Sequence, residues 1–404
     1  MIRTIISSWP AALTACLLLL IFLASQKNGK EAIAYYNKEG ISMIELYDKA
    51  DCTGCSACAN ICPRGCITMK ADSEGFLYPY VNTEMCVDCG LCEEVCPMLK
   101  KPMPHEIKAV YGAKNKDDSV RFTSSSGGMF TLFAEKIIKE CGIVVGAALD
   151  DNHTVKHCIV DSLDDIPKLR GSKYVQSIIG DTYAEVRSLL RSGKKVLFSG
   201  TPCQIAGLKK YLIKPFNNLI TIDLVCHGVP SPMVYRKHLA ELSSKAGEPI
   251  TCVRFRDKSN GWKQGETLFF TEHHKMGAPK RQEPYMRLFL NNIIIRPSCG
   301  NCAFNNKRSQ SDITIADYWG IDKQFPEFDD DKGVTLVIIN TDGGTSLLES
   351  IKDKATILTT DYEKGAEFNW AVVKSLPLHK KRGYFFTNIE KYSINELVEL
   401  CLEK

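Results

Sequence analysis

Cys52-Thr-Gly-Cys55-Ser-Ala-Cys58-Ala-Asn-Ile-Cys62-Pro63 returns 34 residues later as Cys86-Val-Asp-Cys89-Gly-Leu-Cys92-Glu-Glu-Val-Cys96-Pro97. Both stretches obey C-x2-C-x2-C-x3-C-P, the spacing of a module that holds two 4Fe–4S clusters. Three thiolates on one short loop reach three corners of a cubane. The fourth cysteine of each run points across to the other cluster, and the proline behind it turns the chain away. The pattern predicts one cluster on Cys52, Cys55, Cys58 and Cys96 and a second on Cys86, Cys89, Cys92 and Cys62. Zinc is the competing occupant, but zinc sites pair C-x2-C units and do not run three cysteines into C-P. Cys66 falls outside the spacing and reads as a small buried thiol.

Outward from the repeat, Met-Leu-Lys-Lys-Pro-Met-Pro-His is a proline-marked linker that closes a bacterial-type ferredoxin domain, residues 43–104. The chain has 404 residues, 18 of them cysteine, with 44% hydrophobic and 24% charged residues and a net charge of +4. That length allows two or three domains, and so mild a charge gives no reason to expect nucleic acid. Cysteines at three-residue spacing point to metal ligation in a reducing compartment, not to a disulfide framework.

Upstream, residues 5–25 are almost wholly apolar, with Arg3 before them and Lys27 and Lys30 after. They could be a signal peptide, a short transmembrane helix or an anchor. Pro10 sits inside the run, and no twin-arginine signal marks export of a pre-folded cluster protein. Met43, nine residues before the first ligand, is also a natural start for a ferredoxin-like chain, so residues 1–42 are either an over-extended start or a membrane anchor. The expected location is the cytoplasm, or the inner face of the membrane if residues 5–25 anchor the chain.

From Ile107 onward, strand-like and helix-like segments alternate. Strands are expected at residues 108–113, 143–148, 195–199, 219–225 and 334–340, and helices at 129–140, 182–190 and 204–212. Residues 250–256 and 267–272 read as an antiparallel pair. The class is α+β for the small dicluster domain and α/β, with a partly parallel sheet, for the larger body. Cys203 lies just past one strand and Cys226 at the end of the next. If the helix between is a right-handed crossover, both emerge on the edge where open sheets place ligands. Cys299-x2-Cys302 has metal-ligand spacing. The four could converge on a third cluster or be separate buried thiols, and spacing leaves both open. Cys16, Cys141, Cys158, Cys252 and Cys401 have no partner spacing and read as structural. His227 reads equally as support for a cluster and as a turn residue. Ser124, Ser125, Ser126, Gly127 and Gly128 open a helix, where hydroxyls and amides suit a phosphate, although serine also caps helices without any ligand. Lys173, in Arg170-Gly-Ser-Lys-Tyr174, could add a basic contact to such a cofactor.

Gly200-Thr-Pro-Cys-Gln204, Cys226-His-Gly-Val-Pro-Ser-Pro232, Arg296-Pro-Ser-Cys-Gly-Asn-Cys302 and Ser311-Asp-Ile-Thr-Ile-Ala-Asp-Tyr-Trp-Gly320 together resemble the beta subunits of coenzyme F-420 hydrogenases and dehydrogenases. The resemblance runs from about Ile107 to Asn340. It implies a 4Fe–4S cluster on Cys203, Cys226, Cys299 and Cys302, and FAD near residues 124–128 and Lys173. It divides the body into residues 105–186, 187–345 and an extension, 346–404, of unassigned role.

The expected function is that of an iron–sulfur flavoprotein oxidoreductase. It would pass electrons between a one-electron donor such as ferredoxin, its clusters, FAD and an organic two-electron acceptor. The alternative is an electron-carrying subunit that docks to a separate catalytic partner and binds no substrate. Family resemblance does not name the acceptor.

Overall fold

The computed structural model describes residues 43–403; the apolar run at residues 5–25 and Cys16 lie outside them. In the cysteine-rich module, each run of three cysteines ends on a short helix entered through a left-handed residue. Ser56 (φ 64°) precedes Ala57–Ile61 (α1), and Gly90 (φ 69°) precedes Leu91–Glu94 (α2). Between the helices, Ile67–Ala71 (β1) and Leu77–Val81 (β2) pair antiparallel.

The body is built on Ala109–Asn115 (β3), Ile143–Leu149 (β4), Val155–Val160 (β5), Val196–Gly200 (β6) and Leu219–Leu224 (β7). A separate meander follows, made of Cys252–Asp257 (β8), Glu266–Phe270 (β9) and Lys275–Pro279 (β10). The chain then returns through Ile313–Asp317 (β11), Thr335–Ile339 (β12) and Ala355–Thr360 (β13). Eight strands form one mixed sheet in the order β13-β3-β12-β11-β7-β6-β4-β5. Its middle, β11-β7-β6-β4, is parallel. Parallel neighbours need crossovers, and the helix-period stretches supply them. Met129–Lys139 (α3) follows β3, Thr182–Arg191 (α4) precedes β6, and Pro202–Leu212 (α5) joins β6 to β7.

Both faces of the sheet are covered, so its strands are apolar on both sides. On one face, α3 sets Met129, Leu132, Phe133 and Ile137 against Val144, Leu197 and Val337. On the other side of the β4–β6 pair, α4 and α5 set Tyr183, Val186, Ile205 and Leu208 against Val145, Val196 and Phe198. Full burial of a side chain such as Phe133 is worth roughly 2–3 kcal/mol. A second core forms where Pro232–Ala246 (α6), the meander, Pro284–Leu290 (α7) and Ile394–Val398 (α8) meet. The last sixty residues are therefore part of the body: β13 is an edge strand of the main sheet, and Phe385, Leu397 and Cys401 fill the second core. Among the described residues no helix is long and apolar enough to cross a membrane.

The expected strands and helices of the body occur within one to three residues of their predicted bounds, and the expected antiparallel pair is β8–β9. One buried polar residue ties β5 to β6. His157 stacks on Phe198, its Nε2–H donates to the Ser199 carbonyl at 3.1 Å, and the Ser177 hydroxyl donates to its Nδ1 at 3.2 Å. Burial pushes this imidazole down to about 4. An imidazole ordinarily titrates near 6.5, so folding disfavours its proton, and stability present above pH 6.5 is lost as pH falls toward 4. Between pH 7 and pH 5 this one group should cost about 2 kcal/mol. We expect His157→Gln to melt lower than wild type at pH 7 but to lose less stability on going to pH 5. Anaerobic thermal melts at the two pH values check this.

Candidate iron–sulfur centres and an adjoining cationic site

Cys52, Cys55 and Cys58 line up on the loop that enters α1, and each of Cys55 and Cys58 feels the charge of Cys52 and of the distant Cys96. Residues of both cysteine runs therefore meet, as crossed ligation requires. Burial pushes the Cys55 thiol up to about 12, with the neighbouring thiols adding to the rise. Four thiols this close, one buried and three partly buried, hold negative charge only if a positive centre neutralises them. The iron of a cluster does so. The second set lines a small pocket, where Cys62, Cys86, Cys89 and Cys92 are joined by Cys66. Cys66 is buried, but it is not remote from the chemistry: its Sγ lies 3.2 Å from that of Cys62. The Ile44 amide donates to Cys92 Sγ at 3.2 Å. Among the described residues no three His, Cys, Asp or Glu side chains close on a single metal ion.

The body brings together four more cysteines. Cys203 sits in the first turn of α5, fixed by the Thr201–Gln204 capping box, with Thr201 Oγ1 3.2 Å from its Sγ. Cys226 follows β7, the parallel neighbour of β6, so both cysteines leave the same edge of the sheet. Cys299 lies in the short helical turn Pro297–Asn301 and Cys302 just after it. The Val229 amide donates to Cys299 Sγ and the Phe304 amide to Cys302 Sγ, each at 3.4 Å. Cys226 feels the charge of Cys299, Cys203 and Cys302 together. Burial raises all four thiols, Cys299 to about 12 and Cys302 to about 11. This donor set fits a 4Fe–4S cluster for the same reason as the first.

The third set abuts the first. Cys203 and Gly207 lie on one face of α5, and a Cβ on Gly207 would come within 3.0 Å of Cys55 Sγ. Met98 packs with Ala206 and Phe304 against Cys96, Cys203 and Cys302. Between the two sets lies Arg296, fully buried and without a carboxylate partner among the described residues. Its Nε donates to the Cys52 carbonyl at 2.7 Å, and its two terminal nitrogens donate to Gln176 Oε1 at 3.1 Å and to the Leu77 carbonyl at 2.9 Å. The guanidinium also lies 4.1 Å from the Tyr78 ring centre. Sequence alone gives Arg296 no role, because a cation three residues before a ligand pair is too common to single out.

His227 hydrogen-bonds Asn292 Oδ1 at 2.7 Å and packs on Phe289 and Trp370. Cys141 and Cys252 are exposed, so core packing does not account for them, whereas Cys401 is buried.

The turn of residues 124–128 and the segment holding Lys173 are in contact. The Ser172 amide donates to Ser125 Oγ at 2.7 Å, and Arg170 donates to Thr123 Oγ1 at 2.8 Å. The three seryl hydroxyls are spent on protein: Ser124 on the Val120 carbonyl, Ser125 on Ser172 and Ser126 on the Val334 carbonyl. Gly127 is required by packing, since a Cβ there would meet the Ala113 carbonyl and the Thr335 amide. What the neighbourhood offers an anion is cationic charge. Arg256 bridges Asp317 (2.7 Å), the Tyr174 hydroxyl and the Ser125 carbonyl. Lys280 lies 4.5 Å from the Trp319 ring centre, and Trp319 stacks on Trp262. Burial pushes Lys173 down to about 7 and Lys280 to about 8. Among the described residues, Lys173 Nζ donates only to the Arg170 carbonyl, at 3.0 Å. Partly buried ammonium groups with no ion-paired carboxylate among the described residues fit a phosphate-bearing ligand. Arg256, Lys280 and Trp319 escaped sequence reading because they lie 80 to 150 residues from Lys173 in the chain.

Residues 193–365 match the family described as the C terminus of the coenzyme F420 hydrogenase/dehydrogenase beta subunit, and residues 51–99 match the 4Fe-4S dicluster domain. One of the subunits of the F(420)H(2) dehydrogenase of Methanosarcina mazei is 24% identical over 174 residues, 40% of this chain and 49% of the relative. The coenzyme F420-dependent sulfite reductase of Methanocaldococcus jannaschii is 27% identical over 190 residues, 46% of this chain and 29% of the relative. The 7Fe ferredoxin of Hydrogenibacillus schlegelii is 36% identical over 66 residues, 15% of this chain and 77% of that ferredoxin. The chain thus spans about half the length of the first relative and less than a third of the second.

Arg296 makes a prediction of its own. One buried positive charge about 8 Å from the middle of a redox centre is worth roughly 2 kcal/mol at an effective dielectric near 20, or about 0.1 V for one electron. In Arg296→Met, the most positive of the potentials seen in an EPR-monitored titration should fall by about that much. Arg296→Lys should keep most of it. Equal potentials in wild type and Arg296→Met would show that the guanidinium is only a packing element.

Proposed function

The chain belongs, through residues 193–365, to the family of coenzyme F420 hydrogenase/dehydrogenase beta subunits and, through residues 51–99, to the 4Fe-4S dicluster domains, and on that premise we propose that it is an oxidoreductase that joins a one-electron carrier to an organic two-electron acceptor through FAD. Its coarser nature follows from the family: it is an iron–sulfur electron-transfer protein related to these redox enzymes.

The observation that carries the proposal is the succession of sites. The cysteine set of Cys62, Cys86, Cys89 and Cys92 packs against that of Cys52, Cys55, Cys58 and Cys96, which abuts Cys203, Cys226, Cys299 and Cys302 through α5. Clusters held there would supply single-electron steps, and FAD would supply the change from one-electron to two-electron chemistry. The chain's own residues do the rest. Cysteines anchor, amides donate to their sulfurs, and the apolar packing around Met98 keeps water out between the first and third sets. Lys173, Lys280 and Arg256 offer positive charge to the diphosphate of a dinucleotide.

The cysteine-rich module presents Cys89 at the surface, with Val87 and Met85 exposed beside it, which suits docking of a small carrier protein such as ferredoxin. The names of the relatives support an F420-type acceptor. The competing reading, an electron-carrying subunit without its own substrate, draws on one observation: the hydroxyls of Ser124, Ser125 and Ser126 are already engaged within the protein.

Anaerobically purified full-length protein should contain about twelve irons and about one FAD per chain. Cys299→Ser with Cys302→Ser should lower iron to about eight and leave the visible spectrum of the other clusters. Lys173→Glu should lose at least nine-tenths of the flavin at unchanged iron content. Unchanged iron in the double serine variant would remove the third cluster. Wild-type protein that keeps its iron but holds no flavin would establish the electron-carrier reading.

A further inference from the structure

A cleft opens beside Cys226 and Cys302, and none of its walls comes from residues 124–128, Lys173 or Arg256. It is therefore separate from the cationic site. Its floor is polar and rich in acceptors. Asp223, on β7 and fully buried, accepts from the Ser309 hydroxyl at 2.5 Å and the Ser311 hydroxyl at 2.9 Å. It has no Lys or Arg within 4 Å among the described residues. The Ser309, Ser311 and Thr314 hydroxyls engage three of the roughly four lone-pair sites of the carboxylate, which leaves room for one further donor. Next to it, Asn340 donates through Nδ2 to Ser311 Oγ and Thr314 Oγ1, at 3.3 and 3.2 Å. Its Oδ1 is buried and has no donor. The walls above are apolar: Val225, Ile338, Phe304 and Val372.

A buried carboxylate and an orphaned amide oxygen at the bottom of one cleft both cost free energy until donors reach them. We propose that this cleft binds a small molecule with a compact apolar body and N–H donors at one end, seated against the third cysteine set. The donors would go to Asp223 and Asn340 Oδ1 and the body to the apolar walls. The chemistry selects against anions: a carboxylate or phosphate would face Asp223 without a neutralising partner. Lys307, at the mouth, is drawn toward Glu363 at 3.9 Å and lies over the Tyr362 ring.

The site should also depend on pH. Burial raises the Asp223 carboxyl to about 6, against the pull of the Ser309, Thr314 and Ser311 hydroxyls and of the Lys209 charge from α5. Lys307 and Tyr362 share the cleft with it. Below pH 6 the carboxyl takes up a proton and attracts a cationic donor less.

The test uses the full-length, cluster-loaded protein and two probes of similar shape, benzamidine and benzoate, followed by anaerobic calorimetry. Benzamidine should bind once per chain with millimolar or better affinity, at least ten times more tightly than benzoate, and more weakly at pH 5 than at pH 8. Asp223→Asn should weaken it at least tenfold. Ala371→Trp, which fills the cleft from its partly exposed rim, should abolish binding at unchanged iron content, and this arm stands even if the Asp223 variant does not fold. Absence of benzamidine binding, equal binding of benzoate, or full affinity in Ala371→Trp would each overturn the proposal.

Discussion

A guanidinium buried without a carboxylate is the constraint on which the arrangement turns. Taking a charge out of water costs several kcal/mol, and Arg296 recovers this only where carbonyls, an amide oxygen and an aromatic face surround it. Those partners come from two places: Cys52, Leu77 and Tyr78 in the cysteine-rich module, and Gln176 in the segment before α4. Arg296 itself opens the turn that presents Cys299. One side chain therefore sets the module on the body and holds the cysteine-bearing loops of the first and third sets in register. Gly54 shows how close the fit is, since a Cβ there would come within 2.7 Å of the Arg296 guanidinium and the Gln176 amide. Second attachments reinforce it: Arg382 pairs with Glu74, and Asn60 donates to the Gly180 carbonyl at 2.8 Å.

The parallel centre of the sheet does the other half of the positioning. Strands β6, β7 and β11 run in one direction, so their carboxyl ends deliver Cys203, Cys226 and the Asp317–Trp319 turn to one edge. The same edge receives the turn of residues 124–128, because β3 is antiparallel to β12 and β12 to β11. An open parallel sheet gathers loops there for topological reasons, whatever chemistry the loops carry. Cysteine and cationic residues are thus close without being close in sequence.

Charge separates the two neighbourhoods at this edge. Around Lys173, Arg256 and Lys280, Asp317 pairs with Arg256, and neither lysine has an ion-paired carboxylate among the described residues. In the cleft beside Cys226, the buried carboxylate Asp223 has hydroxyls for company and, among the described residues, no paired cation. Neither imbalance stabilises the fold, since each carries a desolvation cost that packing must offset. Such costs are kept where a ligand of opposite character can relieve them.

The sequence by itself determined the local chemistry. C-x2-C-x2-C-x3-C-P specifies its ligands because thiolates on one short loop have only one way to surround a cubane. Strand and helix periods along the body, and the place of Cys203 and Cys226 at successive strand ends, follow from burial patterns that are local in the chain. Tertiary structure alone decided the rest. Cys66 joins the second cysteine set because the β1–β2 hairpin turns it inward, not because of its spacing. Arg296, Arg256, Lys280, Trp319, Asp223 and Asn340 acquire their roles from neighbours up to 244 residues away, as in the bond from Arg296 to Cys52. A buried charge is defined by what surrounds it, and no window of sequence contains its surroundings.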